Sequence, residues 1–299
     1  MVCNSANILE LFGADFLELG ASANQLRARM HPANVVSYEL RGRAASLDEA
    51  ITEIVSREAT DLSLLQLRDV QHLSVDALQA LLVASHTKLP QVTFQHLPVF
   101  ALAGDTTQLA DVLPALQDAG LGSLYLHFEA ARSAFYFRRD LAHLLARAAA
   151  AGLCVSAAIT IGNAESIEQR AATLTLIRDL QQQTSSIQSV LVGVHHATGP
   201  DARREEEATA VDYLKTLAVT RLFLDTLEHL QADWSVMGPK VLELALRFGA
   251  DDAGGVPWSQ AGIPGPSHHG GESELRRIIR DAGFQPVERD ALFRQSLLH

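Results

Sequence analysis

The chain has 299 residues, 47% hydrophobic and 20% charged, and its 24 basic against 35 acidic side chains leave a net charge of −11. That supplies a sizeable core and argues against a disordered or fibrous chain. The acidic balance, with no clustered Lys and Arg, argues against nucleic acid, and no apolar run approaches the ~18 residues of a membrane span. Acids follow soon after Met1 with no basic leader, so the expected compartment is the cytoplasm.

In chain order, two helical stretches open the sequence, around 5–19 and 22–31. Short β-rich runs then alternate with amphipathic helical runs. The strands are read at Val35–Leu40, Leu62–Leu67, Val92–His96, Ser123–Phe128, Leu153–Ile161, Ile187–His195 and His229–Trp234, with an eighth at Asp251–Val256. The helices are read near 46–58, 74–88, 106–119, 138–151, 165–184, 203–227 and 237–248. Ser46, Ser74 and Thr106 stand where N-caps belong, and Gly120 and Gly152 where a left-handed residue ends a helix. Strand followed by helix, repeated, predicts an α/β fold, a TIM-like (β/α) barrel of eight strands. Residues 253–271 hold six of the 19 glycines and three of the ten prolines and read as a loop near the barrel mouth. A helix at 272–282 follows, and Phe284–Phe293 reads as a closing strand or edge ribbon. The expected organisation is a single domain: a helical cap over 1–33, a barrel over 34–256, and a mouth loop with C-terminal helix and strand over 257–299.

Cysteine is scarce. Cys3 and Cys154 are the only two, too few for a disulfide framework, a four-thiolate zinc site or a cluster held by protein thiolates alone. Cys154, in an apolar run with no adjoining base, reads as a small buried hydrophobe.

The C-terminal third carries a series of distinctive segments. Asp212–Asp225 (DYLKTLAVTRLFLD) continues into His229-Leu230-Gln231-Ala232-Asp233-Trp234, Gly238-Pro239-Lys240-Val241, Phe248–Gly255 (FGADDAGG) and Leu275–Phe284 (LRRIIRDAGF). Together these resemble the radical S-adenosylmethionine enzymes of the futalosine route to menaquinone: cyclic dehypoxanthine futalosine synthase and aminofutalosine synthase, with the deazaflavin synthase subunit more distant. Ile161-Gly162-Asn163-Ala164-Glu165 with Arg170 fits as well, although that family usually has a Gly-His pair before the acid. The early run Leu26–Pro32 through Val35–Tyr38 is also similar. The resemblance implies a radical-enzyme type of α/β barrel.

The same resemblance exposes departures. That family carries a CxxxCxxC loop after the first barrel strand. Here Val35–Leu40 runs through Arg41-Gly42-Arg43-Ala44-Ala45 into the next helix. Leu67-Arg68-Asp69 and Leu126-His127-Phe128-Glu129 stand where the family has glycine-rich turns, and Val256-Pro257-Trp258 follows Gly254-Gly255. Without thiolates to hold a low-potential cluster there is no route to an adenosyl radical. The expectation is therefore no 4Fe-4S cluster and no binding role for S-adenosylmethionine.

Candidate ligand-binding residues at the mouth are His96, Glu129, His195, Trp234, Asp251, Asp252, Gly254 and Gly255; His127 could join them. Strand-terminal histidines and acids on a barrel lie on the functional face. His195-His196 cannot both aim at one ion, because neighbours on a strand point to opposite faces, and no spacing matches a metal motif. No metal is therefore expected. Trp234 could stack on a planar ligand. The leading expectation is a non-catalytic barrel, a pseudoenzyme that holds a nucleoside-type molecule or pairs with a homologous radical-enzyme subunit or with itself. The alternatives are acid–base or metal-assisted chemistry on His96, His195, Glu129 and Asp251, and a ligand-free remnant whose mouth is filled by Phe128, Trp258 and Arg68.

Overall fold

A computed structural model describes residues 7–41, 46, 48, 51–52, 61–64, 73–90, 92–99, 106–130, 138–195, 208–232, 237–257, 271–290 and 292–294. Its helices are α1 (Ile8–Gly13), α2 (Phe16–Met30), α3 (Val75–Lys88), α4 (Thr106–Asp118), α5 (Arg138–Ala150), α6 (Ile167–Thr184), α7 (Ala210–Phe223), α8 (Pro239–Ala245) and α9 (Glu272–Asp281). Its strands are β1 (Val35–Arg41), β2 (Asp61–Ser63), β3 (Thr93–Gln95), β4 (Leu97–Pro98), β5 (Ser123–Glu129), β6 (Cys154–Ile161), β7 (Ile187–Val194), β8 (His229–Ala232), β9 (Asp252–Pro257) and β10 (Gln285–Arg289).

Local chemistry accounts for the helix starts. Ser74 accepts from the Ala77 N–H, and Ser166 with Gln169 and Thr209 with Asp212 form reciprocal capping boxes. Gly120 and Gly152 are left-handed, at φ +88° and +72°. Several boundaries differ from expectation: the helix read over 203–227 spans Ala210–Phe223, started by the Thr209 cap, and the one near 237–248 spans Pro239–Ala245. The break between the first two helices falls at Ala14–Asp15, because the Asp15 carboxylate accepts from the Leu17 and Glu18 N–H groups and starts a new helix there. Gly20 lies inside that helix, where an added Cβ would stand 2.6 Å from the Phe248 ring. Thr106 is the first helical residue rather than the cap.

Eight parallel strands form one sheet in the order β10-β1-β9-β8-β7-β6-β5-β4, and β2 pairs with β3. The Phe94 N–H donates to the Gly120 carbonyl and the Gly122 N–H to the Phe94 carbonyl, so β3 also lies beside the start of β5. β9, the expected eighth strand, closes onto β1, with Leu40 opposite Val256. The C-terminal ribbon becomes β10, parallel to β1 with Val35 opposite Gln285. This is the predicted α/β barrel.

One face of each strand builds the core. Leu124, Leu126 and Phe128 of β5, Val155, Ala157, Ile159 and Ile161 of β6, and Val190 and Val192 of β7 are buried in a single hydrophobic cluster with Leu141, Leu144, Leu174, Ile177, Leu214 and Leu217 of the surrounding helices. Alternation then sends the intervening residues into the barrel lumen. Phe128 belongs to the core, so it does not fill the mouth. Arg68 and Trp258 lie outside the described residues. No described helix is long and apolar enough to cross a membrane.

Candidate functional site in the barrel lumen

The lumen-facing positions include several polar side chains where most barrels of this kind pack Val, Ile and Leu, although Ala158 of β6 and Leu191 of β7 share that face. β5 contributes Tyr125, His127 and Glu129; β6 contributes Ser156 and Thr160; β7 contributes Ser189 and Gly193. Pairing sets Tyr125 opposite Ser156, Glu129 opposite Thr160, and Thr160 opposite Gly193. The Ser189 hydroxyl donates to Ser156 at 3.0 Å, and His127 Nε2 lies 2.7 Å from Thr160 Oγ1. His127 is exposed to the lumen, yet it lies deep enough that burial pulls its imidazole below the usual value while Glu129 pulls the other way. A neutral imidazole next to a hydroxyl can accept or relay a proton. Gly193 leaves space there: a Cβ on it would stand 3.6 Å from Thr160 Oγ1.

Across the lumen, β1, β9 and β10 join in an ion network. Arg289, fully buried, donates to both carboxylate oxygens of Asp252 at 2.6 and 3.0 Å and to Glu39 at 3.3 Å. Ser37 donates to Asp252 at 2.6 Å, and the Gly254 N–H does so at 2.7 Å. Burial would lower the Arg289 pKa, but Asp252 and then Glu39 more than offset it, so the guanidinium stays charged.

A second network lies at the opposite end. His31 precedes β1, His229 opens β8 and Asp251 precedes β9, so all three sit at the N-terminal ends of strands, the barrel floor. The fully buried Arg221 of α7 pairs with Asp251 Oδ1, which also accepts from the Leu230 N–H at 2.8 Å. Arg221 further donates to the carbonyls of Gly249 at 2.8 Å and Leu227 at 3.1 Å. His229 Nδ1 is 2.7 Å from Asp251 Oδ2, and His31 Nε2 is 3.5 Å from the same oxygen. Burial would raise the Asp251 carboxyl, but Arg221 and then His229 and His31 overcome it and hold it down at about 2.

These placements sort the sequence-predicted residues. Glu129 is on the lumen face at the mouth end of β5. His195, half-buried just past β7, donates its N–H to the Ile161 carbonyl at 2.7 Å. His96 is buried in a left-handed kink between β3 and β4, at φ +56°, with its N–H donating to Ser123 Oγ. β5 and β6 stand between these two histidines in the sheet. Asp251 is not at the mouth: it is the hub of the floor network, because the strand begins only after it. Asp252 is in the lumen wall, held by Arg289 rather than presented at the rim. Gly254, at φ +74°, and Gly255 lie mid-strand in β9. Trp234 and His196 lie outside the described residues.

Sequence reading missed Thr160, Glu39, Arg289, Arg221, His31 and His229. The i, i+2 polar residues within apolar strands, Ser37 and Glu39 or His127 and Glu129, were the available signal for the lumen. At Ile161–Glu165, the Gly162 N–H and Arg170 Nε both donate to Glu165 Oε1, at 2.9 and 2.6 Å. Cys154 begins β6 at the floor end, and burial pushes its thiol up.

Residues 201–297 match the family described as CofH/MqnC C-terminal region. The chain is 31% identical over 140 residues to cyclic dehypoxanthine futalosine synthase of Halalkalibacterium halodurans, covering 46% of this chain and 38% of that protein. It is 33% identical over 153 residues to aminodeoxyfutalosine synthase of Thermus thermophilus, covering 48% of this chain and 41% of that protein. The match thus spans about two fifths of these relatives' length. Among solved structures, methylornithine synthase (PylB) superposes with a TM-score of 0.65 at 13% identity, over 93% of this chain and 92% of that one. The hydrogenase maturase HydG from Carboxydothermus hydrogenoformans gives 0.68 at 13% identity, over 97% and 77%. The chain is therefore similar to the futalosine synthases over about half its length, matches the CofH/MqnC C-terminal region over residues 201–297, and folds as an α/β barrel like those of PylB and HydG.

Proposed function

We propose that this barrel does not generate a radical by itself and instead serves futalosine-type menaquinone biosynthesis as a binding protein. It would hold a nucleoside-type molecule in its polar lumen or pair with a homologous radical-enzyme subunit. The observation that carries the reading is the donor set. Three thiolates are needed to leave one iron open, and the chain has only Cys3 and Cys154. Cys154 opens β6 at the floor, away from the mouth, with its thiol pushed up by burial. These residues do not fit a three-cysteine cluster.

The polar lumen supports a ligand. Nucleosides present hydroxyl and ring-nitrogen groups, which His127, Thr160 and the Ser156–Ser189 pair can meet with hydrogen bonds. Native mass spectrometry of the protein recovered gently from its own cells tests the proposal. Extra mass equal to a second barrel subunit, or a few hundred daltons removed by Thr160→Val with His127→Gln, supports it. A bare monomer that also ignores dehypoxanthine futalosine and aminodeoxyfutalosine in calorimetry overturns it. Iron–sulfur absorbance after anaerobic reconstitution overturns it as well.

The His127–Thr160 contact favours a second reading, acid–base chemistry in the lumen without a radical. Turnover independent of S-adenosylmethionine and abolished by His127→Gln would establish that reading in place of the first.

A further inference from the structure

We propose that the barrel floor carries a transition-metal site formed by His31, His229 and Asp251, separate from the lumen. One ligand atom from each of the three residues lies within 4.8 Å of the other two. They come from three remote parts of the chain, the end of α2, the start of β8 and the residue before β9, so only the tertiary fold assembles them.

The surroundings favour an ion over a simple ion pair. Arg221 and the Leu230 N–H hold Asp251 Oδ1, which leaves Oδ2 facing the two imidazoles. His229 points Nδ1 at that oxygen, while its Nε2 faces the Glu228 carboxylate at 3.8 Å. Phe293 stacks on the His229 ring with centroids 4.1 Å apart and holds its plane. His31 is the adjustable member. It is partly exposed, its Nε2 lies 2.9 Å from the Glu228 carbonyl, and its ring stacks on His229 with centroids 5.3 Å apart. Loading an ion requires His31 to turn out of that stack and to carry its proton on Nδ1. The ion takes the place of the proton between His229 Nδ1 and Asp251 Oδ2, and the neutral His229 ring then carries its one proton on Nε2.

The donor set selects the class of ion. Two imidazoles with one carboxylate oxygen suit Zn²⁺, Co²⁺ or Ni²⁺ and not Ca²⁺ or Mg²⁺, which want more oxygen ligands.

The test uses untagged full-length protein, stripped by chelator and titrated with CoCl₂ and ZnCl₂. One Co²⁺ per chain should bind and show the intense visible bands of low coordination with nitrogen ligands. His31→Ala and His229→Ala should each weaken binding by about tenfold or more. The exposed His143→Ala serves as the control for the other histidines and should leave binding unchanged. No stoichiometric uptake, or uptake indifferent to His31→Ala and His229→Ala while circular dichroism shows both variants folded, overturns the proposal. MgCl₂ binding as tightly as CoCl₂ also overturns it.

Discussion

Replacing Arg221 by Met should be among the most destabilising substitutions available in this chain. The guanidinium is fully buried between α7 and the barrel floor, and it serves Asp251 and the carbonyls of Gly249, Leu227 and Glu228. Met fills most of the volume but donates nothing, so a buried carboxylate is left facing one or two imidazoles without its main counter-charge. Breaking one side of a buried ion pair costs about 3–5 kcal/mol. Against a typical total of about 5–15 kcal/mol, that is a large share. At roughly 2–3 °C per kcal/mol for a chain of this size, the melting temperature should fall by about 6–15 °C. With Arg221 gone, burial becomes the dominant influence on Asp251, its carboxyl rises, and the loss should shrink in mildly acidic buffer. Adding Asp251→Asn should restore part of the stability, because the uncompensated charge goes while the Leu230 N–H keeps an acceptor. Urea unfolding followed by circular dichroism, on the two single variants and the double, measures all of this. A loss under about 1 kcal/mol for Arg221→Met, or a double variant as unstable as the two singles summed, would refute the reasoning.

Three further outcomes follow from the same structure. Asp251 falls from 3.8 in the unfolded chain to about 2 when folded. Its stabilisation of about 2 kcal/mol is complete above the unfolded value and fades as pH drops through the folded one, with about 1 kcal/mol gone by pH 3. Asp251→Asn should flatten urea midpoints measured between pH 5 and pH 3 by that amount, and parallel profiles would contradict the assignment. The His127 imidazole should titrate below the ordinary histidine value by NMR, and lower still in Glu129→Gln, since Glu129 opposes the effect of burial; a value at or above the ordinary one would refute the lumen geometry. Gly249 holds φ +104°, and an added Cβ would stand 2.9 Å from Arg221 Cβ and 3.2 Å from Ala23 Cβ. Gly249→Ala should therefore cost about 2 kcal/mol or more by thermal melting, and a neutral result would refute the close approach.

Much of the barrel was legible in the sequence because its signals are local. Short apolar runs, the helix cap at Ser74, and glycines at 120 and 152 each act within a few residues; the caps at Ser166 and Thr209 are as local but were not read from the sequence. The same locality explains the misplaced break near residue 20. The Asp15 cap is local too, but Gly20 owes its identity to Phe248, more than two hundred positions away. Alternation within strands also puts Ser37 with Glu39, and His127 with Glu129, on one face, a signal from which Glu39 was not recognised.

What the sequence determined by itself is the strand–helix alternation, the two-cysteine limit on metal–sulfur chemistry and the acidic balance, all properties of composition and near neighbours. Tertiary structure decided the rest. Asp251 and Asp252 are adjacent in sequence and share a charge, yet one is bound by Arg221 at the floor and the other by Arg289 in the lumen wall. Successive side chains at a strand start diverge, and the arginines that claim them arrive from α7 and β10, 30 and 37 residues distant. No local pattern encodes that choice. Pairing of β1 between β9 and β10 brings those charges together.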